Sequence, residues 1–340
     1  MNPKLTGRLC TIASVVLLSF LFPGRMHAQV DPHFTQYYVH PSWLNPALTG
    51  AFDGAYRASA IYRNQWSNVS SPFSTIGASL DFTTPKNLNL GVNLLGQRAG
   101  NGGYGYTTGY ANAAYTGVRW GAMQQHRVVL ALQAGLIQRK FNPSKLTFGD
   151  QWNPVTGGNT NVSAEVFGRT SYTTFDAGAG ALYFDATPGK KANVFGGFSV
   201  SHLTQPADRF ASNDGTAKVP VRYIIHAGVR LYMSETVALT PNALYLRQGN
   251  ATETMLGAYA QLKATASTSL LLGANYRWKD AVAIQAGLNY DNMLISAAYD
   301  INTSGLGKMA RGASSFEISL AFTAKQKVKT PEVEFVCPRL

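Results

Sequence analysis

Histidine has the widest chemical range of the side chains in this sequence, because it serves proteins both as a metal ligand and as a general base. Beyond residue 28 the chain holds His33, His40, His126, His202 and His226. None of them has a metal-binding spacing such as His-Glu-x-x-His, and no Gly-x-Ser-x-Gly nucleophile motif is present. The sequence therefore predicts a non-enzymatic protein with no catalytic residue, no cofactor and no metal. A Ser–His or paired-carboxylate site that forms only on folding, around His202 or His226, stays open as an alternative.

The charged residues instead alternate with apolar residues along strand-like runs. In residues 293–301, for example, apolar side chains alternate with Ser296, Ala298 and Asp300. Successive side chains on a strand point to opposite faces, so this period of two predicts strands with one apolar and one polar face. If the apolar faces meet lipid, the polar faces line a lumen. The predicted lumen-lining residues are Arg57, Arg63, Asp81, Asp176, Lys263, Arg277, Asp300 and Glu317.

The overall composition favours a membrane barrel. Only 14% of residues are charged, against about 25% in an average soluble domain, and the chain has 33 glycines, 17 tyrosines and 17 phenylalanines. The formal net charge is +12, but no basic run with interleaved aromatic residues predicts a nucleic-acid partner. This excess of positive charge is better explained by anionic lipid head groups or an acidic protein partner.

Fourteen strand-like runs follow one another, and the lengths of the connections between them alternate. The odd-numbered connections include the long segments 141–170, 203–219 and 302–313, whereas even-numbered ones are short, such as 265–267 and 291–292. Outer-membrane barrels have long loops outside and short turns in the periplasm, and a soluble β-sandwich has no reason to sort its loops in this way. The predicted fold is therefore all-β: a transmembrane up-and-down antiparallel β-barrel of about 14 strands, with periplasmic N- and C-terminal segments.

The first residues have the pattern of a signal peptide. Lys4 and Arg8 precede an apolar run over 11–22, and Ala28 is a suitable cleavage position. Cleavage there would also remove Arg25, which gives the exported chain a net charge of 12 − 3 = +9. The predicted segments are a signal peptide (1–28), an N-terminal strap in the periplasm or the lumen (29–54), the barrel (55–324) and a periplasmic tail (325–340).

The strap is too rich in aromatic residues for a free tail, and its X-Pro pairs forbid a continuous helix. Fourteen strands enclose more space than their own side chains fill, so water or a folded-in segment must occupy the lumen. The strap is the candidate segment, and it is also a candidate docking site for a partner protein. Its predicted partner-binding residues are Phe34, Tyr37, Tyr38, Trp43, Leu44, Asn45 and Pro46.

The C-terminal tail begins with basic residues and carries the one cysteine that remains after residue 28. No disulfide within the exported chain can therefore form, which leaves a free thiol or a bond to a partner. The predicted partner-binding residues of the tail are Phe335, Cys337, Pro338 and Arg339.

Several motifs resemble those of the PorP/SprF family. They are QVDPHFTQYYVHPSWLNPALTG at 29–50, YRNQW at 62–66, FEISLAF at 316–322 and CPRL at 337–340. The resemblance implies an outer-membrane barrel of the type IX secretion and gliding machinery of Bacteroidetes. It also implies partners: ring-forming and peptidoglycan-binding periplasmic lipoproteins, and a secreted surface adhesin or other cargo protein. The alternative from a different class is a general diffusion porin, in which the charged lumen residues would set ion selectivity.

Overall fold

A computed structural model gives the fold of residues 31–66, 72–100, 103–159, 161–210, 216–304 and 314–324. Fourteen strands form a closed antiparallel barrel. The barrel strands are β1 (Tyr56–Gln65), β2 (Phe73–Phe82), β3 (Leu88–Ala99), β4 (Tyr104–Trp120), β5 (His126–Phe141), β8 (Ser171–Asp185), β9 (Ala192–Ser201), β10 (Arg222–Tyr232), β11 (Val237–Gln248), β12 (Ala251–Lys263), β13 (Thr268–Arg277), β14 (Ala281–Tyr290), β15 (Met293–Asn302) and β16 (Ser314–Ala324).

Each barrel strand pairs with the next one along the chain, and β16 closes the barrel by pairing antiparallel with β1. This up-and-down topology confirms the predicted all-β fold and its number of strands. The sequence pattern did not predict β6 (Trp152–Asn153) and β7 (Gly158–Asn159), a small hairpin within the connection between β5 and β8. Two-residue strands are too short for a period of two to be visible in the sequence.

The outer face of the barrel is apolar, as the alternation in the sequence predicts. Along β14, for example, burial alternates residue by residue, and the outward side chain of Ile284 is 55% exposed. Leu132 and Ile318 are 69% and 54% exposed on their own strands. A band of such side chains around the whole barrel would be costly in water and suits a lipid environment. None of the helices in the described parts of the chain is long and apolar enough to cross a membrane.

The two ends of the barrel differ in the length of their connections. One end, called here the long-loop end, carries the three long connections 142–170, 202–221 and 303–313, together with shorter ones such as 249–250 and 278–280. The opposite end, the short-turn end, carries the connections 83–87, 121–125, 186–191, 233–236, 264–267 and 291–292. The last strand finishes at the short-turn end, where Ala324 pairs with Tyr56.

The strap, described from Asp31 onward, lies inside the barrel. It contains a one-turn helix, α1 (Pro41–Leu44), followed by a single 3-10 turn, and three X-Pro steps keep these elements short. At its start, the backbone N–H of Asp31 donates to Gln248 at the long-loop end. Near its other end, the carbonyl of Gly50 accepts a hydrogen bond from Asn89 at the short-turn end.

The strap therefore crosses the lumen from one end to the other. Its first described residue lies at the long-loop end, opposite the end at which β16 finishes. If the long-loop end faces outward, Asp31 lies at the outer end of the barrel and not at the periplasmic end predicted for the N-terminal segment. The predicted signal peptide and the predicted C-terminal tail lie outside the described residues.

Candidate functional site: the strap inside the barrel

The strap joins the inward side chains of the wall in apolar clusters. Tyr37, Tyr38, Leu44 and Leu48 belong to one cluster, in which the wall contributes mainly from β5, β8, β11 and neighbouring strands. Phe34 and Trp43 belong to a second cluster with inward residues of β1, β3, β4 and β5. Because these residues are buried in the lumen, the strap supplies the core that a barrel of this width would otherwise lack.

Buried charges bind the strap where the first and last strands meet. The Glu317 carboxylate of β16 accepts the backbone N–H groups of Thr35 and Gln36, at 2.6 and 2.9 Å. The same carboxylate pairs with the Arg63 guanidinium of β1. Arg63 also pairs with Asp300 of β15 at 2.8 Å, and it donates to the Thr35 hydroxyl at 2.9 Å. Arg63 and Glu317 are each 1% exposed, so one charge cluster joins the strap to β1, β15 and β16.

The cluster extends along the wall through Asp300. Arg277 of β13 donates to the Asp300 carboxylate at 2.8 Å and also pairs with Asp280, just beyond that strand. The Thr35 hydroxyl donates to Asp300 at 2.8 Å. A buried charge is costly unless it is paired and hydrogen-bonded, so each of these groups requires the others in place.

A second charge cluster holds the start of the strap at the long-loop end. Its centre is His202, directly after β9, which lies between two carboxylates. Its Nε2 is 2.6 Å from Asp31 of the strap, and its Nδ1 is 2.8 Å from Asp176 of β8. Arg222 of β10 lies 3.2 Å from the Asp31 carboxylate, and the Tyr106 hydroxyl of β4 donates to it.

The protonation of this cluster follows from its charges. Burial disfavours the imidazolium of His202, but Asp31 and Asp176 outweigh burial and raise its pKa to about 9. Burial by itself raises the pKa of Asp31, but the charges of His202 and Arg222 outweigh that effect and hold the pKa below its usual value. At neutral pH the cluster is therefore an ionic clamp between the strap and the wall.

In the middle of the lumen, Asn45 attaches the strap to the backbone of the wall. Its side-chain amide donates to the carbonyl oxygens of Ala181 on β8 and Phe198 on β9, at 3.0 and 3.4 Å. The wall carries Gly180 and Gly197 beside this side chain. A Cβ at Gly180 would collide with the Asn45 side-chain oxygen and the Pro46 ring, so the two glycines make room for the Asn-Pro step.

Further polar contacts fix the aromatic side chains of the strap. The Tyr37 hydroxyl donates to Asn242 at 2.7 Å, and the Tyr38 hydroxyl donates to Gln285 at 3.2 Å. The Trp43 ring lies under the Arg222 guanidinium, 4.6 Å from ring centroid to carbon. Together with the contacts of Thr35 to β16 and of Asn45 to β8, which lie on nearly opposite sides of the closed barrel, these contacts show that the strap occupies the lumen and does not lie against one wall.

The predicted partner-binding residues of the strap are all buried here. Phe34, Tyr37, Tyr38, Trp43, Leu44, Asn45 and Pro46 contact the barrel interior, so with the strap in place their side chains are not available to a partner. The corresponding residues of the tail, Phe335, Cys337, Pro338 and Arg339, lie outside the described residues.

Most of the predicted lumen-lining residues form pairs within the barrel. Arg57 and Asp81 pair at 2.7 Å, and the Arg57 guanidinium also donates to the Leu48 carbonyl of the strap. Five more of these lumen-lining residues are members of the two charge clusters: Arg63, Asp176, Arg277, Asp300 and Glu317. Lys263 differs, because it is exposed at the short-turn end and belongs to neither cluster.

Sequence reasoning did not single out Asp31, Thr35, Gln36, His202 and Arg222 as parts of one site. They are far apart along the chain: His202 follows Asp31 by 171 residues, and Glu317 follows Thr35 by 282. A local signal is that Asp31, Thr35 and Gln36 are polar residues within a segment rich in aromatic side chains.

The two histidines named for the enzyme alternative, His202 and His226, both contact other side chains in the lumen. Both ring nitrogens of His202 are bound by carboxylates, and Nε2 of His226 contacts Asn45. With both nitrogens paired, the His202 ring is not placed to activate a serine. Within the same residues, no three histidine, cysteine or acidic side chains are grouped so that they could hold a metal ion.

A closed fourteen-stranded barrel with an apolar outer band defines the class of this molecule as an outer-membrane β-barrel. Within that class, the chain belongs to the PorP/SprF family. The sequence model of this family, described as type IX secretion system membrane protein PorP/SprF, matches residues 26–322. The resemblance found in the sequence motifs is thereby confirmed, and the family is one of structural or transport barrels. No curated protein matches this chain.

Two toluene transporters are among the solved structures with a similar fold. The toluene transporter TbuX of Ralstonia pickettii has 11% identity and a TM-score of 0.51, with 84% of this chain and 92% of that chain covered. The toluene transporter TodX of Pseudomonas putida has 9% identity and a TM-score of 0.50, with 86% and 94% covered. At this identity the likeness extends to the fold alone.

Proposed function

We propose that this barrel is a non-conducting scaffold of the type IX secretion and gliding machinery. One observation carries the proposal: a buried strap, bound by two charge clusters and by Asn45, fills the lumen. A general diffusion porin needs a continuous aqueous path, and a lumen with an apolar core does not offer one. The filled lumen thus favours a scaffold over the porin alternative.

In the proposed orientation the short-turn end faces the periplasm and the long-loop end faces outward, as is usual for bacterial barrels. The tail at 325–340 would then continue from β16 into the periplasm, where it would bind ring-forming or peptidoglycan-binding lipoproteins. The exported adhesin or cargo protein would bind at the long-loop end. The predicted signal peptide is part of the same proposal, since the barrel must be exported.

The proposal is tested by purifying the affinity-tagged full-length barrel from its own membranes in mild detergent and identifying its partners by mass spectrometry. We expect periplasmic lipoproteins and an exported surface protein to be recovered with the barrel. Deletion of residues 325–340 should remove the lipoproteins and leave the exported protein bound. The matched control carries the same tail in scrambled order, which keeps its length and charge.

Recovery of the barrel alone would contradict the scaffold. Lipoproteins recovered equally with and without the tail would remove Phe335, Cys337, Pro338 and Arg339 from the proposed interface. In either case a correctly folded barrel must first be shown, for example by its mobility on an unheated detergent gel.

A further inference from the structure

Strand β8 has an unpaired edge at the long-loop end of the barrel. It pairs with β5 along its whole length, from Ser171 opposite Lys140 to Asp185 opposite His126. It pairs with β9 only from Ala179 to Phe184, because β9 ends at Ser201. Leu203, just after β9, still reaches the carbonyl of Ala177, so residues 171–176 extend beyond their backbone neighbour on that side.

The direction of the backbone groups at this edge follows from two hydrogen bonds. Phe141 of β5 donates to the carbonyl of Thr170, whereas Leu203 donates to the carbonyl of Ala177 from the β9 side. Because antiparallel strands alternate between their two neighbours, the odd-numbered residues of β8 direct their N–H and C=O groups away from β5. Among the described residues, no backbone group pairs with those of Ser171 or Thr173 on that side.

The described part of the connection after β9 does not cover the edge at Ser171 and Thr173. Its Asp208 and Phe210 contact Tyr172, an inward side chain of β8, so they lie over the interior of the barrel. The side chain of Thr204 is the exception, since its hydroxyl donates to the carbonyl of Phe175. Ser171 and Thr173 remain exposed.

This part of the wall stands in water. An open strand edge cannot lie in hydrocarbon, because its backbone groups would stay unsatisfied there. The outward side chains agree with that requirement: Ser171 and Thr173 on β8, and Gln138 and Lys140 on β5, are polar and exposed. The apolar band of β8 begins lower down, at Phe175.

Proteins normally protect exposed edges with proline, charge or a covering element. The run Ser-Tyr-Thr-Thr-Phe at 171–175 contains no proline and no charge, and it consists mainly of residues that favour strands. The nearest charge on the same strand, Asp176, points inward to His202. Within the described parts of the chain, the edge at Ser171 and Thr173 is therefore open to pairing.

We infer that residues 171–175 of β8 are a strand-addition site for an extended segment of the exported protein that the barrel serves. A row of alternating N–H and C=O groups matches the repeat of donors and acceptors along a second extended polypeptide. The partner strand would lie beside Ser171, Thr173 and Phe175 and extend the barrel sheet outside the membrane. This inference rests on the proposed scaffold function.

The test is Thr173→Pro, compared with Thr173→Val as the matched control. Proline removes a backbone N–H that points away from β5, so the β5–β8 pairing and the barrel remain intact. Valine keeps that N–H and a side chain of the same shape. We expect Thr173→Pro to reduce recovery of the exported protein at least tenfold, and Thr173→Val to recover it as the unmodified barrel does.

A second measurement on the unmodified complex does not depend on a variant that folds. Hydrogen exchange of the Ser171, Thr173 and Phe175 amides should slow at least tenfold when the exported protein is bound. Equal recovery with Thr173→Pro, or unchanged exchange at these amides, would overturn the inference and leave the scaffold function standing. If the unmodified barrel recovers no exported protein, the proposed function itself fails.

Discussion

At the scale of single residues, the charge cluster around Arg63 determines how firmly the strap is bound. The Glu317 carboxylate accepts two backbone N–H groups of the strap and also pairs with a guanidinium that is almost fully buried. Such a pair adds little compared with a well-packed apolar one, but the loss of one partner leaves the other charged and buried. A substitution that removes one partner of the pair should therefore destabilise the barrel strongly.

Glu317→Gln should lower the free energy of unfolding by about 3 kcal/mol. That is the lower end of the cost of removing one partner of a buried pair, because Asp300 continues to neutralise Arg63. The measurement is urea unfolding of the purified barrel in detergent, followed by tryptophan fluorescence.

The control is Glu235→Gln, which changes an exposed residue in a short turn and should alter the stability by less than about 0.5 kcal/mol. If both variants unfold at the same urea concentration as the unmodified barrel, the cluster does not hold the strap.

The His202 clamp predicts a loss of stability at alkaline pH. Its pKa is raised from 6.5 to about 9 in the fold, so its contribution is complete below about pH 6.5 and is lost as the pH rises through about 9. The shift corresponds to about 3 kcal/mol. Thermal unfolding at pH 6 and pH 9.5 measures it, with His202→Gln as the comparison.

The unmodified barrel should lose more stability between these two pH values than His202→Gln does, because the variant has no proton to release at this position. Tyrosine and lysine side chains titrate in both proteins and cancel in the difference. Parallel losses in the two proteins would show that the clamp is not ionic.

At the scale of elements, the strap serves as the core of the barrel. The wall provides glycines beside Asn45, polar groups for Tyr37 and Tyr38, and two charge clusters at different heights. None of these wall features has an obvious use without the strap. The barrel interior is therefore built for one particular occupant, and that occupant is part of the same chain.

Removal of the strap should open the lumen. We expect the full-length barrel to show no steady conductance in a planar lipid bilayer, and a variant without residues 31–50 to show stable open channels. The control deletes residues 152–159, the hairpin of β6 and β7, which lies in a loop outside the barrel strands. Stable open channels formed by the full-length barrel itself would favour the porin alternative.

At the scale of the whole molecule, the barrel could be predicted from the sequence, but the wall residues that bind the strap could not. Period-two runs such as 281–290 are local, and the sheet needs only that each strand pairs with the next. The contacts of Asp31 with His202 and of Thr35 with Glu317 depend on the closed barrel. Burial of an aromatic segment was predictable, but the partners of its polar residues were not.

The position of the Arg63 cluster also has a consequence for biogenesis. Arg63 and Glu317 lie directly opposite each other on β1 and β16, the two strands that must meet last for the cylinder to form. The strap binds the same carboxylate, so a cylinder that closed around an empty interior would enclose this charge pair without two of its hydrogen bonds. Pairing of β1 with β16 and insertion of the strap are thus coupled steps. A chain with a misplaced strap would lack these hydrogen bonds at the contact between β1 and β16.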